Sequence, residues 1–504
     1  MNDIFLDVES SISGRRWTGP NISVDRQAEM ILQETNFSSA MANVLARLGV
    51  EANQAKNYIK PSLRDLMPNP LKILDMEKAA SRVNIAVNNH ERIAIFADYD
   101  VDGATSGALL HDWLTQLGNI PTLYVPDRIE EGYGPNIEAM ETLANVHDLI
   151  ICVDCGTLSH ETINKITNTD IIILDHHLGG ETLPNAYAVV NPNRQDEKGD
   201  LYYLCAAGVV FLTLVAANSI RRNNNKSTPD LLNMLDLVAL GTVADVAPLV
   251  GFNRALVRQG LKVMAKRERI GITALSDIAK MNNAPSPYHL GYLLGPRINA
   301  GGRVGKADLG IRLLTCKNYD EANSIADKLN QLNDERRSIE ATVQLQALEQ
   351  VEKMGSNSAL VWAAGEGWHP GVVGIVASRI KEITNKPTVV IGLDEHEGKG
   401  SGRSISGIDL GSSIATLQRE NLIIRGGGHK MAAGLSLERE KLEIAMSRLN
   451  ELLANQGSKS FQTRELQLDG ALSLPAITIE LLEQLETAGP FGAGAPGPRF
   501  ALPF

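Results

Sequence analysis

The sequence predicts an α/β protein: a parallel-sheet domain and a smaller α/β domain, joined by a long helix. Three observations predict this. From residue 91, short apolar runs alternate with helix-spaced segments, the pattern of buried parallel strands between helices. Residues 318–354 then contain neither proline nor glycine. A second set of apolar runs and helical segments follows that stretch.

A chain of 504 residues is too long for one ordinary core. Residues 1–80 carry "ANVLARLGVEANQAKNYIKPSLRDLMPNP", a helical pattern closed by prolines, and are expected to form an N-terminal helical cap. The first domain is expected over 81–316. Its strands are "RIAIFA" (92–97), "TLYV" (122–125), "DLIICV" (148–153), "DIIIL" (170–174) and "YAVVN" (187–191). Between them, "GALLHDWLTQLG", "NIEAMETLANV" and "HETINKIT" have helical spacing.

The connecting helix is expected over 317–356, with Ala322, Ile325, Ala326, Leu329 and Leu332 on one stripe. At 1.5 Å per residue it would run about 55 Å. The second domain, 357–460, has strand candidates "ALVWAA", "PTVVIGL" and "AAGLSL" and helices at 371–383 and 440–454. Residues 461–504 close the chain.

Bulk properties narrow the function classes. No apolar stretch approaches the roughly 20 residues that span a bilayer, so no membrane role is expected. The start, "MNDIFLDVESSISGRRW", has acids before any basic residue and no secretory pattern, and a cytoplasmic protein is expected. The net charge of −11 argues against coating nucleic acid by global attraction, though not against a local grip. Four cysteines make no disulfide framework. Two of them, Cys152 and Cys155 in "CVDC", read as small residues ending a buried strand rather than half a zinc site.

The chemistry lies where the strands end. In an open parallel sheet, ligands gather beyond the carboxyl ends of the strands. The first strand delivers Asp98, Asp100 and Asp102, the third Asp154, and the fourth Asp175, His176 and His177. A further segment, "LLNMLDLVALGTVADVAPL", reads as a helix and then a Gly-Thr turn that presents Asp245. One such acid alone would be read as a helix N-cap. A calcium loop is excluded because Leu109 stands where its closing glutamate belongs. Acids from four separated segments on one rim require compensation. Two divalent cations ~3.5–4 Å apart would neutralise them, activate a water and hold a phosphoryl oxygen. Mixed Asp and His ligation suits Mn²⁺, with Mg²⁺ possible.

The series "DYDVDG", "VDCG", "DHH" and "GTVADVAPL" resembles the four motifs of the DHH phosphoesterase superfamily. Further on, "GPRINAGGRVG", "WHPGVVGIVASRI", "GSGRSISGIDL" and "GGGHKMAAG" resemble the interdomain segment and DHH-associated domain of its bacterial single-strand-specific 5′→3′ exonucleases. The resemblance spans roughly residues 40–504. It implies an exodeoxyribonuclease of DNA repair and recombination that releases mononucleotides.

By the resemblance, Asp100 and Asp154 ligate the first metal, with Asp98 a further ligand. Asp102, Asp154, His176 and Asp245 ligate the second, with Asp154 bridging. His177 faces the scissile phosphate and Asp175 orients the histidine pair. Phe96 stands where most DHH phosphatases carry a histidine, so the first metal would depend on Asp98.

The glycine-rich segments "GSGRS" and "RGGGHK" read as loops that let backbone approach an anion. The resemblance assigns the 5′ phosphate to Ser401, Arg403 and Arg128, and a contact near the metals to Arg303. His369 and His429 are further candidates for substrate binding. The expected partners are single-stranded DNA with a 5′ phosphate, a single-strand-binding protein and a helicase, with the chain a monomer. The end of the chain, "LQLDGALSL…LETAGPFGAGAPGPRF", resembles the entry to an oligonucleotide-binding barrel, of which 461–504 would be a remnant. Two alternatives are an oligoribonuclease or cyclic-dinucleotide phosphodiesterase of the same superfamily, and a non-catalytic replication scaffold.

Overall fold

A computed structural model describes residues 4–127, 131–132, 134–354, 358–457 and 464–503. Contacts divide the chain into two compact units, one of residues 1–330 and 465–504 and the other of 331–464. The boundary falls inside the helix Tyr319–Met354. That helix is the long one the proline- and glycine-free stretch predicts.

The first unit begins with strand β1 (Arg16–Thr18), paired in parallel with Glu465–Gln467. The helices Ile22–Glu34 and Ser39–Arg47 follow, each N-capped by a side chain, from Asn21 and Ser38. Their apolar faces bury Ile31, Met41, Val44 and Leu45 in a core completed by Leu485 and Ala488. Arg47 pairs with the buried Asp469. Arg254 donates to the carbonyls of Tyr58, Ala488, Gly489 and Pro490 at 3.1, 2.6, 2.6 and 3.1 Å.

The main sheet of this unit holds β2 (Ile93–Ala97), β3 (Thr122–Tyr124), β4 (Leu149–Val153), β5 (Asp170–Leu174) and β6 (Ala188–Val190). They run in the order β3-β2-β4-β5-β6, all parallel. β2, β4, β5 and β6 are almost wholly buried, as their continuous apolar runs require, while the edge strand β3 is partly exposed. One face packs Phe96, Ile150, Cys152, Ile171 and Ile173 on the helices Ile137–Ala144 and His160–Lys165. Cys152 and Cys155 lie in this apolar layer, where burial pushes both thiols up. The helices Val101–Gln116 and Ala206–Asn223 are apolar and buried over most of their length.

One element differs from its sequence reading. Gly241-Thr242 is not a turn: the helix Leu235–Ala244 runs through it, and Asp245 is its C-cap. The segment is apolar on every side and lies in the interior. Its glycine is spent on close approach to a neighbouring helix rather than on a change of direction.

The second unit is a mixed five-stranded sheet of β7 (Val361–Glu366), β8 (Thr388–Leu393), β9 (Glu397–Arg403), β10 (Arg425–His429) and β11 (Ala432–Glu438), in the order β10-β11-β9-β8-β7. Val390 faces a core with Val343, Ala347 and the helix Pro370–Thr384. Its neighbours Val389 and Ile391 face the opposite core, with the helices Leu410–Arg419 and Leu442–Asn455. This is the alternation a pleated strand imposes.

Here too the sequence reading is corrected. "GSGRS" and "RGGGHK" are not loops but parts of β9 and β10. All of their glycines but Gly427 make room for close neighbours. A Cβ at Gly400 would stand 2.9 Å from Ile391 Cγ1, and one at Gly402 2.7 Å from Leu410 Cδ2. No described helix is long and apolar enough to cross a membrane.

Candidate metal centre

Backbone pairing continues one residue past each of the three central strands. Asp98 N donates to Val153 O (3.3 Å), Asp154 N to Leu174 O (3.0 Å) and Asp175 N to Val190 O (3.1 Å). The three acids therefore form one row at the carboxyl rim of β2, β4 and β5. Asp154 holds a left-handed backbone, φ 61°, a conformation that non-glycine residues adopt at a cost.

The acids after β2 divide their tasks. Asp100 is the N-cap of the helix Val101–Gln116, accepting from Asp102 N (2.9 Å) and Gly103 N (3.1 Å). Asp102 lies inside the first turn and is buried. Its Oδ2 accepts from Ala206 N (2.6 Å) and its Oδ1 from Ala207 N (2.9 Å), so the N-terminus of the helix Ala206–Asn223 faces this carboxylate. A Cβ on Gly103 would run into the Asp98 backbone, which is why the motif ends in glycine.

The DHH segment is held from below. Asp175 Oδ1 accepts from His176 N (2.7 Å) and His177 N (3.2 Å) and lies 2.8 Å from His177 Nδ1, while Oδ2 accepts from Thr157 N (3.1 Å). Burial opposes ionisation of Asp175, but the His177 hydrogen bond and charge outweigh it and hold the carboxyl well below its ordinary value. Burial likewise disfavours the His177 charge, yet Asp175 raises that imidazole to about 9.

Two residues absent from the sequence reading brace the same segment: Asn191 Nδ2 donates to His177 O (2.8 Å) and Asn193 Nδ2 to His176 O (2.6 Å). The signal available was the pair of asparagines in "NPN" directly after β6.

Ligand atoms then converge in three overlapping groups: Asp98–Asp100–Asp154, Asp102–His176–Asp245 and Asp154–His176–His177, each within 4.8 Å. His176 Nε2 lies 3.3 Å from Asp154 Oδ1, 3.8 Å from Asp102 Oδ2 and 3.9 Å from Asp245 Oδ2. His177 Nδ1 is 3.9 Å from Asp154 Oδ1. Phe96 is buried and stacks on Tyr124 at 5.3 Å, so the first group is all carboxylate.

These residues fit a pair of hard divalent cations. Asp98 Oδ1 is buried and, among the described residues, no hydrogen-bond donor reaches it, which is costly unless a cation does. Burial, and then Asp100, pushes the Asp98 carboxyl up. Burial followed by Asp100, Asp102, Asp98 and Asp245 does the same at Asp154. Burial, Asp102 and Asp100 lift Asp245 to about 8. Burial lifts Asp102 too, against His176. Carboxyls so placed either hold protons or surround positive charge. The donors are oxygens and imidazoles with no thiolate, a set suited to Mn²⁺ or Mg²⁺.

The remaining candidates lie elsewhere. Arg303 is in the last turn of the helix Gly295–Val304. There, a Cβ on the preceding Gly302 would meet the Tyr99 ring, and Asn299 accepts from Val101 N (3.0 Å). In the second unit, Arg403 Nη1 donates to Ser401 Oγ (3.0 Å), and both lie against Gly374 of the helix Pro370–Thr384. His369 N-caps that helix, its Nδ1 accepting from Gly371 N (3.0 Å). Ala432 pairs with Arg403 on one side and His429 on the other, which puts those two side chains in one row of the sheet. Arg128 lies outside the described residues.

Comparison with known proteins matches this geometry. Residues 92–242 match the DHH family, N-terminal domain, and residues 356–455 the DHHA1 domain. The single-stranded-DNA-specific exonuclease RecJ of Escherichia coli is 37% identical over 481 residues, 91% of this chain and 82% of that protein. The chain belongs to the RecJ family. The Salmonella typhimurium RecJ is 40% identical over 431 residues, 81% of this chain and 74% of the relative. The crystal structure of RecJ from Thermus thermophilus in complex with Mn²⁺ superposes with a TM-score of 0.82 at 28% identity, covering 97% of this chain and 70% of that one. Its complex with Mg²⁺ superposes at 0.76, covering 97% and 68%.

Proposed function

We propose that this chain is a metal-dependent exonuclease that hydrolyses single-stranded DNA from the 5′ end and releases mononucleotides, in DNA repair and recombination. The observation that carries the reading is the convergence of the three ligand groups on Asp154 and His176 at one sheet rim. When bound, Mn²⁺ or Mg²⁺ supplies neutralising charge, Lewis-acid polarisation of the phosphate and a nucleophile at neutral pH.

The chain's own residues divide the remaining work. Asp154, which belongs to two of the groups, would be shared by the two ions. Asp98 and Asp100 complete the first, and Asp102, His176 and Asp245 the second. Asp175 fixes the His177 ring by Nδ1, which leaves Nε2 for the scissile phosphate. Arg303 contacts the substrate beside the metals. Ser401, Arg403 and Arg128 recognise the terminal 5′ phosphate, with His369 and His429 as further substrate contacts. Such an enzyme needs a free strand, so a helicase and a single-strand-binding protein are its natural partners. It works as a monomer in the cytoplasm.

The test is product analysis of end-labelled single-stranded DNA with Mn²⁺ or Mg²⁺. The expected result is a mononucleotide from the 5′ end, lost in chelator and on duplex DNA. Turnover of dinucleotides with no attack on long strands would overturn the reading in favour of an oligoribonuclease. No hydrolysis with either ion would favour the scaffold.

A further inference from the structure

Directly beyond Asp245 the first unit carries a cavity of about 300 Å³ that no ligand group uses. Val246, Pro287, Tyr288, Gly291, Tyr292 and Phe491 line it, and none of its lining residues is charged. Tyr288 and Tyr292 stack with ring centroids 5.2 Å apart and planes 26° apart, yet they are 61% and 72% exposed. Aromatic rings of that size are normally half-buried or better, and two of them stacked in solvent form a ready π-surface.

The backbone around this surface is unusual at two points. His289–Leu294 is a π-helical turn, a feature that concentrates at functional sites. Val246 is 70% exposed and left-handed, φ 60°, an outlier for a β-branched residue. The closing segment seals the far wall: Ala493 O accepts from Leu249 N at 2.7 Å, and a Cβ at Gly494 would stand 3.0 Å from Pro248 Cβ.

We propose that Tyr288 and Tyr292 are a stacking platform for a nucleobase of the single strand whose phosphate lies at the metal centre. This rests on the nuclease reading. The argument is chemical. An uncharged aromatic cavity cannot hold a phosphate, but it suits a base face, and stacking tolerates every base. The cavity adjoins the candidate centre, since Val246 in its wall follows the candidate ligand Asp245 directly at the end of the helix Leu235–Ala244. A strand held at Asp245 has its neighbouring bases within reach of this wall.

The experiment uses the full chain with Mn²⁺ and a 5′-phosphorylated single strand of hydrolysis-resistant phosphorothioate linkages carrying 2-aminopurine, whose fluorescence is quenched by stacking. Wild type should quench it. Tyr288→Ala/Tyr292→Ala should lose most of the quenching and bind about tenfold more weakly, and Tyr292→Phe should restore the affinity lost in Tyr292→Ala. A strand with abasic sites in place of its bases should cost wild type a similar factor and the double variant nothing further. Melting curves of the variants check that they are folded. A double variant that discriminates normal from abasic strands as wild type does, or a wild type that gives no quenching, overturns the platform and leaves these tyrosines to a protein partner. A wild type that quenches but hydrolyses no strand with Mn²⁺ overturns the nuclease reading instead.

Discussion

Gly241 faces the Asp102 carboxylate so closely that a Cβ on the glycine would stand 2.9 Å from Oδ1. Asp102 is held on its other side by two backbone amides, so it can give way only by straining those bonds. The same Cβ would also meet Thr105 Oγ1 and Ala207 Cβ, so Gly241→Ala should both crowd the helix packing and strain a candidate metal ligand. The expected result is at least a tenfold weaker activation by Mn²⁺, with a stability loss of about 1–3 kcal/mol. A Mn²⁺ titration of hydrolysis beside a denaturation curve separates the two effects.

Asp154 is crowded by four other carboxylates. Asp154→Asn should abolish hydrolysis and also raise the melting temperature of the metal-free protein, because a carboxyl whose ionisation burial and its neighbours oppose is replaced by a neutral amide. The upward shift that Mn²⁺ gives wild type should shrink in the variant, since binding stabilises only as far as affinity allows. Thermal melts with EDTA and with Mn²⁺ check both signs.

Asp175 touches no candidate ligand group except through the histidines it orients. Asp175→Asn should keep the fold and cost about 10–100-fold in activity or metal affinity, the usual effect of losing a group that positions a ligand. Rates at saturating and limiting Mn²⁺ tell the two apart.

Arg269 lies between Asp112 and Asp236, at 2.7 and 2.8 Å. Burial would raise the Asp112 carboxyl, but His111, 3.6 Å away, and then Arg269 hold it well below its ordinary 3.8. A depressed carboxyl stabilises the fold above the unfolded value and loses that contribution as pH falls. Wild type should thus lose stability from about pH 4 downward, and Arg269→Met should lose about 3–5 kcal/mol already at pH 7. Denaturant unfolding at pH 7 and pH 3 measures both.

Much of the centre was legible because its residues sit one step past apolar runs: Asp98, Asp154 and Asp175 extend the rungs of a parallel sheet whose strands are plain in the sequence. What was not legible is what holds them. The donors to Asp102 are backbone amides of Ala206 and Ala207, which no residue type announces. Asn191 and Asn193 act on carbonyls, a contact that depends on where β6 ends. The glycines of β9 and β10 imitate loops because the property they share with loops is the missing Cβ, used here for close packing of strands and helix. The same holds at Gly241, where an interior helix was read as a turn.

The parallel pairing of Arg16–Thr18 with Glu465–Gln467 has a consequence for biosynthesis. During synthesis the helices Ile22–Glu34 and Ser39–Arg47 keep an unfinished apolar flank until Leu485 and Ala488, which complete their core, emerge. Contacts so remote along the chain form slowly. Closure of this core therefore waits for residues 465–488, and until they emerge its apolar flank is a client for chaperones.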